Sequence, residues 1–469
     1  MSRVALTAAS YSARSLLAAA QRCINLYPES NPGSPDVPLT FYGTPGKVLW
    51  STLPGDGPVR CLYQASTGDL FGVRGNSLYR YGAGTWTFLA FLGSYSGPVI
   101  AADNSVSVVF VDGSTVAPTY GLTTKVVSFM SGAGWYGADF VCYIDGFLIF
   151  NKPASQQFYI TGALNLAVDA LDFASAEATP DKLVSLLADH RELWLFGERS
   201  IEVFGNAGNT FPFERINGAT MELGCAAKYS PCKLDNSITW LGADERGDAM
   251  VWRAQGYQPV RISTHAIEEE WRTYTRIDDA VAFSYQQSGH SFYVLTFPTA
   301  GKTWAFDAAT QLWHERAFRP DTNILTRDRA NCHVFYNRQH LVGDYQNGNV
   351  YVLDLDAYTD NGDVIPRLKS FQHMTQAGKR QFFRSITLDM EAGPGGELNP
   401  TVQLRWSDDG GHTWSSTVFA SLGKIGQYLN KPHFKRLGSG RDRIFEVSTT
   451  AQSKIVLQGA FIEATAGTT

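Results

Sequence analysis

Residues 405–414, RWSDDGGHTW, bring hydroxyl, carboxylate and aromatic side chains together in one short stretch. The spacing is S-x-D-x-G-x-T-W, with the defined positions at Ser407, Asp409, Gly411, Thr413 and Trp414. Such a stretch has two interpretations: it belongs to a sugar-cleaving enzyme, or its Asp and Ser side chains bond the backbone of a tight turn. The strands on either side of the stretch, and the fold to which they belong, decide between the two.

The stretch resembles the Asp-box of the β-propeller blades of sialidases and other secreted glycosidases. In an Asp-box the Asp and Ser side chains bond the backbone of a hairpin turn while the Trp packs under it, so the motif is structural and not catalytic. Those enzymes carry several copies on different blades, whereas this chain has one copy, near its C-terminus. The motif therefore predicts a hairpin, and a sialidase-like glycosidase or a carbohydrate-binding propeller stays as the alternative function.

Other candidate catalytic or cofactor motifs lack the context that their chemistry needs. GAGWYG places Gly132, Gly134 and Gly137 like a dinucleotide fingerprint, but a strand follows it instead of a helix whose N-terminus could hold a pyrophosphate. The Gly301–Thr303 triplet ends like a phosphate-binding loop and then continues as a strand. The sequence contains no GxSxG and no HExxH. We expect no catalytic residues and no cofactor.

The sequence also gives little support to a metal site. The six cysteines are scattered without CxxC spacing, which is typical of reduced and mostly buried thiols in a chain of this size. Cys225 and Cys232 are close enough in sequence to share a bridge or a metal, but no histidine pair accompanies them. The acidic pairs Asp354/Asp356 and Asp360/Asp363 lack the glycine and distal glutamate of a calcium loop. We expect no metal.

Composition limits the class of protein and its partners. The 28 Phe, 21 Tyr, 11 Trp and 44 Gly are typical of a turn-rich β structure. A net charge of −5 argues against a protein that grips nucleic acid by neutralising phosphates, but it is compatible with a wall along which DNA slides. The apolar runs are too short for a membrane span. Residues 1–28 contain three arginines and an apolar core that is too short for a signal peptide, so we expect an N-terminal arm.

The pattern along the chain predicts an all-β fold: a β-propeller of about six blades and then a β-sandwich. Hairpin-like segments recur every 40–60 residues or so, the length of a four-stranded blade, with turns such as Gly75-Asn76, Asp112-Gly113 and Asp145-Gly146. One helix is expected at 263–274, with Ile267 and Trp271 on its apolar face. The predicted domains are an N-terminal arm with first strands that join the propeller (1–57), the propeller (58–365) and the sandwich (366–469).

Several passages together resemble one family, the packaged-DNA stabilisation proteins of short-tailed bacteriophages, also called tail hub or nozzle proteins. The resemblance lies in the order and spacing of these passages over most of the chain, since no single one is diagnostic. They are QRCINLYPE, YGTPGKVLW, LLADHRELWLFGERSIEVFGNAG, PVRISTHAIEEEW, GNVYVLDLDAYTDNGDVIPRLKS and KRLGSGRDRIFEVSTTAQSKIVLQGAFIEA.

The resemblance implies a non-enzymatic virion protein that is assembled in the bacterial host cytoplasm. It implies a homo-hexameric ring below the portal and its adaptor, which extends the DNA channel, helps to retain the packaged genome and carries tail fibres, spikes or a needle. Double-stranded DNA would pass through the ring without sequence specificity. The densest basic cluster is a candidate contact for acidic adaptor surfaces or DNA phosphates, although a solvated sandwich face explains it as well. Its members are Lys431, Lys435, Arg436, Arg441 and Arg443.

Overall fold

Short antiparallel strands build nearly all of the molecule. The computed structural model describes residues 2–12, 14, 19–244, 246–320, 324–393 and 396–467. Before residue 53 its strands are β1 (Ser2–Ala5), β2 (Tyr11–Ser12), β3 (Ala20–Gln21), β4 (Cys23–Ile24), β5 (Leu26–Ser30), β6 (Leu39–Gly43) and β7 (Gly46–Thr52).

The strands that follow form antiparallel sheets of four, and each sheet is one blade of a β-propeller. Blade 1 contains β8 (Val59–Gln64), β9 (Leu70–Arg74), β10 (Ser77–Gly82) and β11 (Thr85–Phe91). Blade 2 contains β12 (Ile100–Asp103), β13 (Ser107–Val111), β14 (Pro118–Gly121) and β15 (Val127–Phe129). Blade 3 contains β16 (Val141–Ile144), β17 (Phe147–Asn151), β18 (Gln157–Ile160) and β19 (Phe173–Ser175).

Three further blades continue in the same order. Blade 4 contains β20 (Leu183–Asp189), β21 (Glu192–Gly197), β22 (Ile201–Asn206) and β23 (Phe213–Arg215). Blade 5 contains β24 (Cys232–Leu234), β25 (Ser237–Ala243), β26 (Ala249–Gln255) and β27 (Gln258–Arg261), and the helix α1 (His265–Trp271) follows it. Blade 6 contains β28 (Val281–Gln287), β29 (His290–Phe297), β30 (Lys302–Asp307) and β31 (Leu312–Phe318), with β32 (Thr326–Arg327) paired to its last strand.

The ring closes with a blade made from both ends of the propeller segment. In blade 7, β33 (Ala330–Tyr336), β34 (Gln339–Asp344) and β35 (Asn349–Asp354) are joined by β7 as the fourth strand. Within the described residues, blades 1–6 use consecutive strands, and this closing sheet is the seventh. The predicted β-propeller with one short helix is confirmed, and the expected count of about six blades corresponds to the six blades of consecutive strands, to which the closing blade is added. No helix of the described part of the chain is long and apolar enough to cross a membrane.

Tight turns join the strands where the sequence supplies residues that tolerate positive φ. Asp145 and Gly146 connect β16 to β17 with φ values of 50° and 96°, the combination that a two-residue hairpin turn requires. Gly75-Asn76 also joins β9 to β10 as a two-residue turn, with a positive φ of 53° at Gly75 and not at Asn76. Asp112-Gly113 instead lies in a wider loop after β13.

The apolar cores of the propeller lie between neighbouring blades. Ile267 and Trp271 of α1 enter the core between blades 5 and 6, as their spacing predicts, and Trp271 packs edge-on against Trp313 at 5.6 Å. The observed helix is two residues shorter than the predicted one at its start and three residues shorter at its end. Glu268 lies in its first turn, where it is buried and its carboxylate pairs with Arg261.

The C-terminal part of the chain is a β-sandwich, as predicted, and N-terminal strands are part of it. The strands after blade 7 are β36 (Thr359–Asp360), β37 (Asp363–Val364), β38 (Arg367–Ser370), β39 (Met374–Thr375), β40 (Gln381–Met390), β41 (Thr401–Ser407), β42 (Val418–Ser421), β43 (His433–Lys435), β44 (Ser439–Gly440), β45 (Asp442–Thr449) and β46 (Val456–Ala466). Sheet one has the order β43-β40-β46-β6-β5 and also holds β1 and β44. Sheet two has the order β4-β38-β45-β41-β42 and continues into blade 6 through a bridge between Ile24 and Glu315. Phe41 of β6 is fully buried in the core between the sheets.

The N-terminal segment divides its strands between the two folds. Its last strand, β7, closes the propeller, while β1, β5 and β6 extend the sandwich sheet around β46. The boundaries 1–57, 58–365 and 366–469 stay predictions. Strands of the first segment pair with strands of both other segments: β7 pairs with β35, and β1 and β6 pair with β46.

Candidate functional site

The centre of the propeller holds a small cavity of about 270 Å³ that is lined mostly by apolar side chains from the innermost strands. Cys61, Cys142 and Cys332 lie on its wall. Burial raises the pKa of Cys61 and of Cys142 to about 12, so both thiols stay protonated and are poor nucleophiles. A duplex whose major groove alone is about 12 Å wide does not fit such a cavity. Any DNA channel must therefore lie outside the axis of a single propeller.

A larger cavity of about 450 Å³ opens between blades 5, 6 and 7. On its wall, Nε2 of His333 and Nδ1 of His340 are 3.0 Å apart. Burial, helped by the neighbouring imidazole, lowers the pKa of His333 to about 3, so the pair is neutral. Asp235, which also lines the cavity, is held by Arg253 at 3.2 Å. Glycoside hydrolysis by two carboxylates is therefore not supported by the described lining residues.

The Asp-box residues form a turn between β41 and β42. Ser407 Oγ accepts the N–H of Gly411 at 2.8 Å, and Asp409 Oδ1 accepts the N–H of Thr413 at 2.8 Å. The Thr413 hydroxyl donates to Asp409 Oδ2 at 2.6 Å and, with the backbone N–H, holds the pKa of Asp409 well below its usual range. Trp414 is half-buried, and the Arg405 guanidinium lies 4.6 Å from its ring centroid. Every one of these contacts stabilises the turn itself.

The five basic residues of the sequence cluster do not share one surface. Arg443 is 1% exposed and binds Asp408 through Nε and Nη2, each at 2.6 Å from a carboxylate oxygen. Its assignment to an exposed patch is therefore wrong, because β45 is covered on both faces at this point. Lys431 is exposed but pairs with Asp389 at 3.0 Å. Lys435, Arg436 and Arg441 are exposed, and a role for them in contacts with an adaptor or DNA stays a prediction.

The predicted acidic pairs have structural roles. The Asp354 side chain accepts the N–H of Asp356 within its own loop, and Asp360 is buried beside Lys47. Arg329 pairs with Asp363 at 2.6 Å. Over the residues that the structure describes, no group of three or more His, Cys, Asp or Glu side chains is placed to hold a metal ion.

Exposed apolar side chains gather in two regions that the sequence analysis did not single out. The first, which we call the rim patch, lies on the outer edges of blades 1–3, where Phe88 and Phe91 have ring centroids 4.8 Å apart. Exposed apolar regions of this kind mark interaction surfaces. Its members are Phe88, Phe91, Val126, Phe129, Leu171 and Phe173, which are 43–82% exposed.

The second region, the tip patch, lies at one end of the sandwich. Two loops, 396–400 and 421–432, meet there through a hydrogen bond from Leu422 N to Pro400 O at 2.9 Å. Leu429 is 96% exposed, which is extreme for a leucine in an ordered loop. The members of the tip patch are Leu398, Phe419, Ile425, Tyr428 and Leu429, which are 64–96% exposed.

The two patches lie on different sides of the molecule. The sandwich joins the propeller at blade 6, through β31 and β4. In a ring of seven blades, the position opposite blade 6 falls between blades 2 and 3. The rim patch therefore lies on blades that are far, in the order of the ring, from the blade that joins the sandwich.

A buried charged triad holds the closing strand of the propeller. Lys47 of β7 is 4% exposed, and its Nζ lies 2.9 Å from Asp328 Oδ2 and 3.0 Å from Asp360 Oδ1. Burial alone would raise the pKa of Asp328, but the charge of Lys47 and its hydrogen bond hold that pKa below its usual value. The sequence gives no local signal for this triad, because its members are 281 and 313 residues from Lys47.

Comparison with protein families matches both folds in the observed order. The family model described as bacteriophage P22 Gp10, beta-propeller, matches residues 25–358, which is more than half of the chain. The model described as bacteriophage P22 Gp10, beta-sandwich, matches residues 369–465. Comparison with curated proteins gives no match. The all-β propeller followed by a sandwich, the Asp-box turn outside the propeller and the two family matches agree, and the chain therefore belongs to the bacteriophage P22 Gp10 family of phage tail structural proteins.

Proposed function

We propose that the chain is the hub of a short phage tail and forms a six-fold ring below the portal and its adaptor. The observation that carries this proposal is the pair of family matches, which together span both folds of the chain in order. In this role the protein extends the DNA channel, helps to retain the packaged genome and serves as a platform for fibres, spikes or a needle. It acts without catalysis, in the tail of the virion, after assembly in the host cytoplasm.

The dimensions of the propeller support a channel that is built between copies of the chain. The cavity on the propeller axis, about 270 Å³, is too small for a duplex, so DNA needs a wider opening that several copies enclose. The net charge of −5 suits such a wall, because a strongly basic wall would hold the polyanion by counterion release instead of letting it slide. Binding of DNA is then expected to be weak and without sequence specificity.

The two apolar patches support a closed head-to-tail ring. A ring in which each copy uses a different surface toward each neighbour needs two unlike patches on well-separated sides of the subunit. The rim patch on blades 1–3 and the tip patch on the sandwich satisfy both conditions. Lys435, Arg436 and Arg441 lie on the exposed face of the sandwich and offer a basic surface to an acidic adaptor.

Deletion of the gene from its phage tests the proposal. We expect heads that package DNA and then lose it, and particles that lack the tail tip, counted by electron microscopy and by nuclease-protected DNA. Supplying the wild-type gene in trans should restore filled heads, which separates loss of the hub from effects on neighbouring genes. Intact and infectious particles without the gene would overturn the proposal.

A further inference from the structure

Arg367 is a buried cation at the junction of the propeller and the sandwich, and its hydrogen bonding is incomplete. The side chain is 1% exposed, Nη1 donates to the carbonyl of Ala451 at 3.3 Å, and Nε has no partner. Among the described residues no carboxylate forms an ion pair with it. Arg443 has the same exposure but makes a two-point contact with Asp408 and a hydrogen bond to Leu437 O. The charge of the buried Asp360 acts on Arg367 from a distance, but that carboxylate is already paired with Lys47. The fold therefore gives one buried arginine a directly bonded carboxylate and leaves the other without one.

Such an arrangement is costly unless another group completes it. A buried charge without a partner costs several kilocalories per mole, far more than a buried neutral group with the same number of hydrogen bonds. Burial lowers the pKa of Arg367 to about 10, which still leaves the side chain charged at neutral pH. On the same face of the strand, Lys369 is also buried and its Nζ donates to the carbonyls of Ala9 and Ser370. Two buried cations thus lie close together on β38 (Arg367–Ser370).

A cavity of about 150 Å³ lies beside Arg367 and is large enough for several water molecules or one small oxyanion. Hydrogen-bond donors from both folds line it: Tyr42 near the closing strand, Tyr358 after blade 7, and Lys454 of the sandwich. Thr44 also lines it, but its hydroxyl donates to the carbonyl of Asn25. Burial raises the pKa of Tyr42 and of Tyr358, so both hydroxyls keep the proton that they would donate.

Apart from Asp360, which Lys47 holds, the acidic groups nearby do not form an ion pair with Arg367 in the described structure. Glu391 pairs with Lys454 at 2.9 Å, and both side chains are 40–45% exposed. Asp356 also lines the cavity but is exposed, and it is not ion-paired with Arg367 in the described structure. The close approach of Arg367 to Gly43 fixes the guanidinium, because a Cβ at that glycine would lie 2.7 Å from Nε. The cation is therefore held in place against the backbone, next to an open volume.

We propose that the cavity beside Arg367 binds a small oxyanion, of the phosphate or carboxylate class, which completes the hydrogen bonding of the guanidinium and ties the propeller to the sandwich. The oxygen atoms of the anion accept hydrogen bonds from Arg367 and from the Tyr358 hydroxyl on the propeller side. Lys454 adds positive charge from the sandwich side. The site is independent of the proposed role in the tail, since it needs only the folded chain.

The test is thermal unfolding of the full-length chain while inorganic phosphate, or separately acetate, is added, with chloride at matched ionic strength as the reference. We expect Tm to rise with the logarithm of the anion concentration and to be about 2–3 °C higher at a concentration a hundredfold above Kd. Equilibrium dialysis with labelled phosphate, or labelled acetate, gives the stoichiometry, expected to be one per chain. A response to phosphate alone assigns a tetrahedral anion, and a response to acetate assigns a carboxylate, such as one supplied by a peptide.

Variants then locate the site. Arg367→Gln should abolish the response, and Tyr358→Phe, which removes one donor and leaves the buried cation, should weaken binding about 10-fold. Arg436→Gln and Tyr428→Phe make the same chemical changes at exposed positions and should bind like the wild type. If Arg367→Gln does not fold, Tyr358→Phe decides. Absence of saturable binding of either anion to the wild type, or unchanged binding by Tyr358→Phe, would overturn the proposal.

Discussion

Replacing Lys47 by methionine removes the charge that holds the closing strand while it keeps most of the side-chain volume. In the wild type, Nζ of Lys47 lies 2.9 Å from Asp328 and 3.0 Å from Asp360, and all three side chains are less than 10% exposed. Without the cation, two carboxylates stay buried and have lost their shared counter-charge. Loss of one partner of a buried ion pair costs about 3–5 kcal/mol, and we expect a loss of this size in the free energy of unfolding.

The cost of Lys47→Met should depend on pH in a defined direction. Burial raises the pKa of Asp360 even in the wild type, whereas Lys47 holds the pKa of Asp328 below its usual value. The lowered pKa of Asp328 contributes stability that is present above its unfolded pKa, about 3.9, and is lost as pH falls through the folded pKa. In the variant both pKa values rise, so both carboxylates take up protons at higher pH. The destabilisation should therefore be larger at pH 8 than at pH 5.

Urea unfolding followed by tryptophan fluorescence at pH 8 and pH 5 measures both effects. Lys125→Met is the matched control, because Lys125 also pairs with an aspartate, at 2.9 Å, but is 47% exposed, so we expect a loss below about 1 kcal/mol. The double variant Lys47→Met/Asp328→Asn should recover part of the loss, since it leaves one buried charge and not two. A loss under about 1 kcal/mol for Lys47→Met, or an equal loss at both pH values, would refute the electrostatic explanation.

Three further changes test the other structural assignments. Arg443→Met should lower the free energy of unfolding, measured in urea, by about 2–3 kcal/mol, because it removes two charge-assisted hydrogen bonds and a contact with aromatic rings. A loss below about 0.5 kcal/mol would instead be typical of a side chain at the surface. Asp409→Asn should lower the stability of the turn at neutral pH, and amide exchange in the turn measures the loss. The difference in stability between variant and wild type should shrink as pH falls through the lowered folded pKa of Asp409. A difference that is constant with pH would contradict the role of the carboxylate. Leu429→Asp in the tip patch and Phe91→Asp in the rim patch should each prevent ring assembly on the adaptor, as seen by electron microscopy. The control variant Phe335→Asp changes a similarly exposed phenylalanine outside both patches and should assemble normally. Normal rings from both patch variants would exclude these surfaces from the interface.

The features that the sequence predicts correctly are those with local causes. Ile267 and Trp271 are four residues apart, so a helix places both on one face, and both are buried between blades 5 and 6. The turn at Asp145-Gly146 follows in the same way from residues that accept positive φ. Each of these features depends only on residues that are near one another in the chain.

The features that the sequence does not predict depend on contacts between distant residues. The partners of Lys47 are 281 and 313 residues away, so nothing near the lysine distinguishes it from a surface charge. The basic cluster shows the opposite error, because closeness in sequence placed Arg443 with Arg436 and Arg441 on one surface. Strand β45 is covered on both faces where Arg443 lies, and that covering comes from other segments of the chain.

The division of the N-terminal strands makes the two folds depend on each other. The propeller stays open until β35 (Asn349–Asp354) has paired with β7, and the sandwich sheet is incomplete until β46 (Val456–Ala466) has paired with β1 and β6. Both pairings join the beginning of the chain to residues several hundred positions later, and contacts of such sequence separation form late in folding. A chain cut between the folds would leave β1, β5 and β6 without the strand that they flank and would expose an unpaired sheet edge. The propeller and the sandwich therefore depend on the same N-terminal segment, and a cut between them should destabilise both folds.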